Sequence, residues 1–286
     1  MEVLTIEQDS EFIISGGEPL VEFPLVEKII KKIRKHYKNN YLLLQTNGIL
    51  VNRDIVQVLR KYHVNVEIGL DGDFYSNRNS RNGTTKQNYI KMLNAIELLK
   101  GHGIAFSCTM TVHPKEAEKM FDNYLFLLGK DFRSIEITPA AFENWNRQTV
   151  LIFKKEYLKC LKHSLEKKLK KQLSAEYDKI IKPSADAVIT AHGDVLPNWS
   201  LLSLPPDKKR KYSLFGSRRG RIDVNRAKIE NYNRLYGHFY SKNRTYREYS
   251  TLNAKGVYKE LNRKIYNAYK EMNNFLKRIN TKYLLR

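Results

Sequence analysis

The chain has 286 residues, of which 42% are hydrophobic and 11% aromatic, and its formal net charge is +21. This length and composition suffice for one large globular domain or two smaller ones, and they exclude an intrinsically disordered chain. No run approaches the roughly 18 uninterrupted apolar residues of a membrane helix, and the acidic start MEVLTIEQDSEF is unlike a secretion signal, so we expect a cytoplasmic protein with no membrane contact.

The first half of the sequence alternates short apolar runs with amphipathic stretches. Five runs are predicted as strands, and the segments between them place apolar residues at three- and four-residue spacing, as helices that cover a sheet do. The predicted strands are Phe12–Ser15, Tyr41–Gln45, Val64–Leu70, Ile104–Thr111 and Ser134–Thr138, and the predicted helices are Pro24–Tyr37, Asp54–Tyr62, Lys86–Lys100 and Pro114–Leu128. The pattern indicates an α/β fold of repeated strand-helix units around a parallel sheet.

The pattern changes after Ala140. A long Lys-rich helix is predicted from about Thr149 to Ile181, and the short β-like runs on either side of His192 predict a hairpin at residues 186–200. Residues 204–220 are expected to form a basic loop, and the tail from Val224 onward is predicted as helix. We therefore expect two domains, residues 1–145 and a basic helical extension at residues 146–286 with a small hairpin.

The positive charge lies almost entirely in the second half. Residues 1–150 hold 19 Lys and Arg against 18 Asp and Glu, whereas residues 151–286 hold the remaining 32 against 12 and also 12 of the 18 tyrosines. Cations interleaved with aromatic rings suit a nucleic acid, whose phosphates and bases they can bind and stack on. The alternative is a set of solvated Lys-rich helix faces, and the sequence leaves both interpretations open.

Polar and glycine-rich motifs follow the predicted strands. After the first strand comes Gly16-Gly17-Glu18-Pro19, after the second Gln45-Thr46-Asn47-Gly48, and after the third Asp71-Gly72. Ligands of parallel sheets bind at the carboxyl ends of the strands, where paired glycines let the backbone approach a ligand and a carboxylate suits a ligand ammonium group. Asn47 and Asp71 could hydrogen bond to a ribose or to the carboxylate end of an amino acid. A turn-forming role explains each of them equally well.

In their order and spacing these motifs resemble the radical SAM superfamily over about residues 10–140. ISGGEPL at 14–20 resembles the family's GGEP motif, QTNGIL at 45–50 its TNG motif, and IGLDG at 68–72 its (S)xDG motif. The resemblance implies a partial parallel, TIM-like barrel that lacks its first strand-helix unit. It also implies S-adenosylmethionine as cofactor and radical modification of a peptide or protein substrate.

The resemblance also implies roles for individual residues. Gly16, Gly17 and Glu18, followed by Pro19, would hold the amino group of the S-adenosylmethionine methionine, and Thr46 and Asn47 would line the floor of that pocket. Arg78 would bind its carboxylate, with Arg81 as the competing choice, and Asp71 follows the third strand as the family expects. Gly69 stands where many members have a serine that contacts the cofactor.

The sequence lacks the cysteine motif that binds the iron-sulfur cluster of the radical SAM family. Radical SAM chemistry uses a four-iron four-sulfur cluster held by cysteines spaced CxxxCxxC, and the only cysteines here are Cys108 and Cys160, which we expect to be neutral, buried thiols. We therefore assign no catalytic or metal-binding residue and predict that this chain alone is inactive. Three explanations for the missing cysteines remain open: a misassigned or truncated start, a split or decayed gene, or a cluster-free relative. The alternative function is that of a cluster-free nucleic-acid-binding protein on the same scaffold.

Overall fold

The protein is described here from a computed structural model. The structure describes residues 11–140, 143–167, 173–174, 188–189, 195–196, 215–218, 221–224 and 263–279. These residues fall into two compact units: the first contains residues 11–143 and 147–174, and the second contains Asn144–Asn146 and the described residues from 188 to 279.

A six-stranded sheet forms the centre of the first unit, with its strands in sequence order. All five neighbouring pairs are parallel, so the predicted α/β class with a parallel sheet is confirmed. The strands are β1 (Phe12–Ile14), β2 (Leu42–Thr46), β3 (Asn65–Gly69), β4 (Phe106–Val112), β5 (Ile135–Pro139) and β6 (Leu173–Ser174).

Helices connect the strands, because parallel neighbours need crossover connections. They begin at side-chain caps in several places: the side chains of Asn52, Asp73 and Thr85 each accept a hydrogen bond from a backbone N–H of the first helical turn. The helices are α1 (Phe23–His36), α2 (Arg53–Lys61), α3 (Phe74–Ser80), α4 (Lys86–Gly101), α5 (Met120–Leu128) and α6 (Arg147–Glu166), with 3-10 helices at Pro19–Glu22 and Pro114–Lys119.

The two faces of the sheet differ in polarity. Along β4, buried residues alternate strictly with half-buried ones, and β3 and β5 show the same alternation. The buried face is apolar and includes Val66, Ile68 and Met110. The opposite face, which we call the polar sheet face, carries Gln45, Glu67, Ser107, Thr109, Thr111, Glu136 and Thr138.

The second unit contains four short antiparallel strands and one helix. The strands are β7 (Val188–Ile189), β8 (Val195–Leu196), β9 (Phe215–Arg218) and β10 (Arg221–Val224), in the order β10-β9-β8-β7. β7 and β8 pair antiparallel within the range predicted as a hairpin, and His192 itself lies outside the described residues. The helix, α7 (Arg263–Ile279), buries Ala268, Met272 and Leu276 at four-residue spacing.

Two predictions for the second half are wrong. The helix predicted from Thr149 to Ile181 ends at Glu166, and Leu173–Ser174 within that range pairs in parallel with β5 instead. The segment predicted as a loop up to Gly220 contains β9, which pairs with β10. In both places a high content of Lys and Arg hides the short β pairing, which depends on distant partners rather than on local periodicity.

In the part of the chain that the structure describes, no helix has the length and apolarity needed to cross a membrane.

Candidate functional site

The loops after β1, β2, β3 and β4 all lie at the carboxyl edge of the sheet, because parallel strands end on the same side. The predicted motifs therefore share one edge. The contacts among them divide this edge into two groups: one centred on Glu18 and one centred on Asp71.

Glu18 joins the loop after β1 to the end of β2. Its Oε1 accepts hydrogen bonds from the Thr46 hydroxyl at 2.7 Å and from the Leu20 amide at 3.1 Å, and its Oε2 accepts one from the Asn47 amide at 2.8 Å. A carboxylate has about four acceptor positions, so this network leaves one on Oε2 for a further donor. Glu18 thus positions two loops and retains a capacity to accept from a ligand.

Asn47 and Gly48 form the turn that leaves β2. The Asn47 side chain Oδ1 accepts from the Ile49 amide at 2.9 Å, and the Thr46 hydroxyl accepts from the Gly48 amide at 3.1 Å. Gly48 has φ +79°, a backbone conformation that glycine adopts readily. The side-chain oxygen Oδ1 of Asn47 therefore stabilises the turn, and the side-chain nitrogen Nδ2 is the atom suited to a ligand.

Asp71 and Arg81 form a two-point ion pair at the end of β3. Arg81 Nε donates to Asp71 Oδ2 and Arg81 Nη2 donates to Asp71 Oδ1, both at 2.8 Å. The Asp71 side chain is 2% exposed and that of Arg81 is 32% exposed, so the carboxylate is buried beneath the guanidinium. Asp71 Oδ1 also accepts from the Thr111 amide at 2.8 Å, which links the pair to β4.

Gly69 provides the space for this guanidinium. A Cβ at Gly69 would lie 2.7 Å from Arg81 Nη1 and 2.9 Å from Nη2, which is closer than real contacts allow. A serine at this position cannot coexist with Arg81 where the structure has it. The glycine that departs from the family pattern is thus matched to an arginine that occupies the same space.

Arg78, the predicted carboxylate ligand, lies on α3 with an exposed side chain. Arg81, the competing choice, follows that helix and contacts the strand end through Asp71. The structure therefore brings Arg81 to the carboxyl edge beside β3 and leaves Arg78 at the surface of α3.

Gly16, Gly17 and Pro19 complete the first loop. A Cβ at Gly16 or Gly17 would meet no atom within 4 Å, so the backbone there is open to an approaching group. Pro19 begins the 3-10 helix that follows, for which its fixed φ is suited. The edge thus offers open backbone, a carboxylate bonded to the end of β2 with one free acceptor position, and a guanidinium at the end of β3. This set of groups fits a zwitterionic amino-acid group such as that of S-adenosylmethionine.

The two cysteines do not fit an iron-sulfur cluster. Cys108 on β4 is buried and its thiol donates to the Leu70 carbonyl at 3.3 Å, while Cys160 is buried in α6. Burial raises the pKa of both thiols far above the usual value, which disfavours the thiolate that iron binds. In the described ranges, no three His, Cys, Asp or Glu side chains are grouped so as to hold a metal ion.

The sequence of residues 2–128 matches the family model described as the radical SAM superfamily. This part of the chain is similar to the radical SAM superfamily. The resemblance based on the strand-end motifs is thereby confirmed.

Several curated proteins are similar to this chain. It is 25% identical over 139 residues to a cysteine-type anaerobic sulfatase-maturating enzyme of Clostridium novyi, with 47% of this chain and 37% of that protein covered. It is 27% identical over 150 residues to the radical SAM cyclopropyl synthase TigE of Paramaledivibacter caminithermalis, with 48% and 30% covered. An uncharacterized protein of Methanocaldococcus jannaschii is 28% identical over 137 residues, with 46% and 47% covered. The chain spans less than half the length of each of these proteins.

Solved radical SAM structures share the fold. Native anSMEcpe with bound AdoMet superposes with a TM-score of 0.69 at 18% identity, covering 98% of this chain and 84% of that one. SuiB of Streptococcus suis bound to S-adenosylmethionine superposes with a TM-score of 0.52 at 13% identity, covering 67% and 50%. At these identities the likeness establishes a shared fold, and it confirms the predicted TIM-like α/β architecture.

The sequence did not predict two features of the edge. The pairing of Arg81 with Asp71 is signalled only by the glycine at position 69, because no local pattern links residues ten apart across a helix and a loop. The pairing of His113 with Glu143, at the ends of β4 and β5, has no signal in the sequence at all.

Proposed function

We propose that the carboxyl edge of this domain binds S-adenosylmethionine, and that the protein takes part in radical modification of a peptide or protein. The observation that carries the proposal is the arrangement of two opposite charges at the carboxyl edge: Glu18 is hydrogen-bonded to the end of β2, and Arg81 is paired with Asp71 at the end of the neighbouring strand β3. The backbone at Gly16 and Gly17 is open beside Glu18. This arrangement suits a ligand that carries an ammonium and a carboxylate group.

Each residue has a part in this proposal. Glu18 Oε2 accepts from the ligand ammonium, and the Thr46 and Asn47 contacts hold the carboxylate in place for it. Arg81 uses Nε and Nη2 on Asp71, which leaves Nη1 to donate to the ligand carboxylate. Asp71 orients the guanidinium, and we prefer Arg81 to Arg78 as the carboxylate ligand because Arg78 is exposed on α3.

A peptide substrate is supported by the proteins to which this chain is similar. They include sulfatase-maturating enzymes and anSMEcpe with a bound Kp18Cys peptide. The polar sheet face, with side chains that can hydrogen bond along four strands, offers groups for such a substrate.

The family's cluster supplies the electron that cleaves S-adenosylmethionine, and no residue of this chain is assigned to that step. We propose that these 286 residues by themselves bind the nucleoside but do not carry out the radical reaction, since their two cysteines are buried and protonated. Anaerobic reconstitution with iron and sulfide, followed by electron paramagnetic resonance, tests this. A four-iron signal that responds to S-adenosylmethionine contradicts it.

Equilibrium dialysis with labelled S-adenosylmethionine tests the binding site. Arg81→Ala removes the proposed carboxylate ligand, and we expect it to weaken binding by about tenfold or more, since a charge-assisted contact is lost. Arg78→Ala is the matched control, with the same change of charge three residues earlier, and it should bind as the wild type does. Circular dichroism of each variant shows that it is folded.

The outcomes separate the alternatives. Loss of binding in Arg78→Ala with retention in Arg81→Ala supports the arginine predicted from the sequence. No measurable binding to the wild-type chain contradicts the proposed function as a whole.

A second candidate function rests on charge. Residues 151–286 carry a net charge of +20 from 32 basic and 12 acidic residues, and this favours association with a nucleic acid. Such an activity is compatible with the first, because the carboxyl-edge residues, of which Glu143 is the last, all precede residue 151.

A further inference from the structure

His113 lies at the end of β4, outside both groups of residues described above. It follows Val112 and has φ −85° and ψ 153°, so the extended backbone of the strand continues through it. Side chains alternate along extended backbone, and His113 therefore lies on the same face as Thr109 and Thr111. The polar sheet face thus ends in an imidazole, whose side chain is 18% exposed.

Glu143, four residues beyond the end of β5, fixes the orientation of this imidazole. Its Oε1 lies 3.1 Å from His113 Nδ1. An ionised carboxylate only accepts hydrogen bonds, so Nδ1 must carry the proton in this contact. In the neutral ring the lone pair is then on Nε2, the nitrogen that faces away from Glu143.

The imidazole lies on the strand that contacts the Asp71–Arg81 pair. Asp71 Oδ1, which holds Arg81, accepts a hydrogen bond from the Thr111 amide at 2.8 Å. His113 follows Thr111 by two residues, which is about 7 Å along an extended strand. A ligand that contacts Arg81 and extends along β4 therefore reaches the His113 ring.

We propose that His113 is a proton acceptor for the substrate bound at this edge, with Glu143 as its positioning residue. This rests on the proposed function and adds a catalytic group to it. In the step, the bond between a substrate oxygen, nitrogen or sulfur and its hydrogen breaks, its electron pair stays on the substrate atom, and the proton bonds to Nε2. The Glu143 carboxylate stabilises the imidazolium, and the exposed part of the ring returns the proton to water.

The tautomer of His113 gives the first test and requires no reaction. In ¹⁵N-edited spectra of the full chain, neutral His113 should carry its proton on Nδ1. Glu143→Gln keeps a carbonyl acceptor and should preserve that tautomer, whereas Glu143→Ala should let the proton move to Nε2. A wild-type ring protonated on Nε2 overturns the proposal.

The location of the ring gives the second test. Diethyl pyrocarbonate acylates imidazole nitrogens that are neutral and accessible, and mass spectrometry reports each histidine separately. S-adenosylmethionine at ten times its dissociation constant should slow acylation of His113 by up to about tenfold, because about nine tenths of the sites are then occupied. His36, exposed at the end of α1, is the internal reference and should react at an unchanged rate.

Equilibrium dialysis of the same sample distinguishes a failure of S-adenosylmethionine binding from a failure of the proposed role of His113. If S-adenosylmethionine binds and the acylation rate of His113 does not change, the imidazole lies outside the site and this proposal is wrong while the proposed function stands. If S-adenosylmethionine does not bind, the proposed function fails and the role of His113 fails with it.

Discussion

Gly69 and Arg81 are interdependent residues of the carboxyl edge. A Cβ at position 69 would lie 2.7 Å from Arg81 Nη1, and the guanidinium cannot easily retreat because Asp71 holds it at two points. We expect Gly69→Ala to lower the free energy of unfolding by about 1–2 kcal/mol, the usual cost of inserting a methyl group into a filled space. Urea denaturation measures this change.

A double-mutant cycle isolates the cause. In an Arg81→Ala background the space at position 69 is empty, so Gly69→Ala should cost less than about 0.5 kcal/mol there. An equal cost in both backgrounds would mean that the alanine strains the strand itself rather than displacing the guanidinium. Arg78→Ala serves as a neutral background, because Arg78 is exposed on α3.

The two buried thiols make the protein sensitive to alkaline pH. Burial raises the pKa of Cys108 and Cys160, so both stay protonated in the folded state when the unfolded thiols ionise near pH 8.5. Above that pH the unfolded state binds fewer protons, and stability falls by up to about 1.4 kcal/mol per pH unit for each thiol. Urea denaturation between pH 7.5 and about 9.5 should show this fall.

Replacement of both cysteines isolates their contribution to the alkaline loss of stability. At about pH 7.5 the double variant Cys108→Ala, Cys160→Ala should be less stable than the wild type, because both sites are buried. Above about pH 8.5 its stability should fall less steeply, so the difference should narrow. An unchanged slope would show that the thiols do not cause the alkaline loss. In the native wild type, iodoacetamide should modify neither cysteine within the time in which it modifies both in urea.

The helix α1 carries apolar residues on two sides, of which one is buried and the other is exposed. Val26, Ile30 and Ile33 are buried, and Arg34 donates to the backbone carbonyls of Tyr62 and His63 near the start of β3. Val21, in the 3-10 helix before α1, and Leu25 are 67% and 57% exposed. At 100° per residue Leu25 lies on the opposite side of the helix from Arg34.

This difference predicts two very different substitutions in one helix. Ile30→Ala removes a fully buried side chain and should cost about 2–5 kcal/mol of unfolding free energy. Leu25→Ala, a deletion of similar size on the exposed side, should cost less than about 1 kcal/mol. Similar losses at both positions, measured by urea denaturation, would show that the exposed side of α1 is covered in solution.

Local sequence patterns located the elements of the first unit well, because alternation and helical spacing there reflect a buried sheet. The helix α3 escaped prediction since FYSNRNS is short and polar, although Asp73, which caps it through the Ser76 amide, was an available signal. The predicted helix Pro114–Leu128 is divided into a 3-10 helix and α5.

The site was predictable only in part. The motifs after β1, β2 and β3 identified the edge, because each motif is local in sequence. The bond from Thr46 to Glu18 joins residues 28 apart, and the bond from the Thr111 amide to Asp71 joins residues 40 apart. Such partners are set by the register of neighbouring strands, which the sequence of one strand does not contain.

For the molecule as a whole, the main asymmetry is electrostatic. The half that contains the carboxyl edge is nearly neutral, with 19 basic and 18 acidic residues in 1–150, and the other half carries +20. The helix α7 belongs to the basic half. Its buried side is apolar, while Lys270, Glu271 and Arg278 are exposed. Charge of one sign concentrated in one half raises affinity for polyanions without affecting the fold of the other half.

Filter binding of the full chain to tRNA across a potassium chloride series tests whether this charge binds nucleic acid. If six or more cations contact phosphates, affinity should fall by about 10³-fold or more between 50 and 200 mM salt, since each contact releases condensed counterions.

A pair of substitutions in α7 tests which cations take part. Lys270→Gln with Arg278→Gln should reduce the magnitude of the slope of log affinity against log salt concentration by up to about two units if both residues contact phosphates. Lys28→Gln with Lys32→Gln, two exposed lysines of α1 in the near-neutral half, is the matched control and should leave the slope unchanged. A response that does not vary with salt would assign the excess charge to solvation of helix faces, and the carboxyl edge would remain the one proposed binding site.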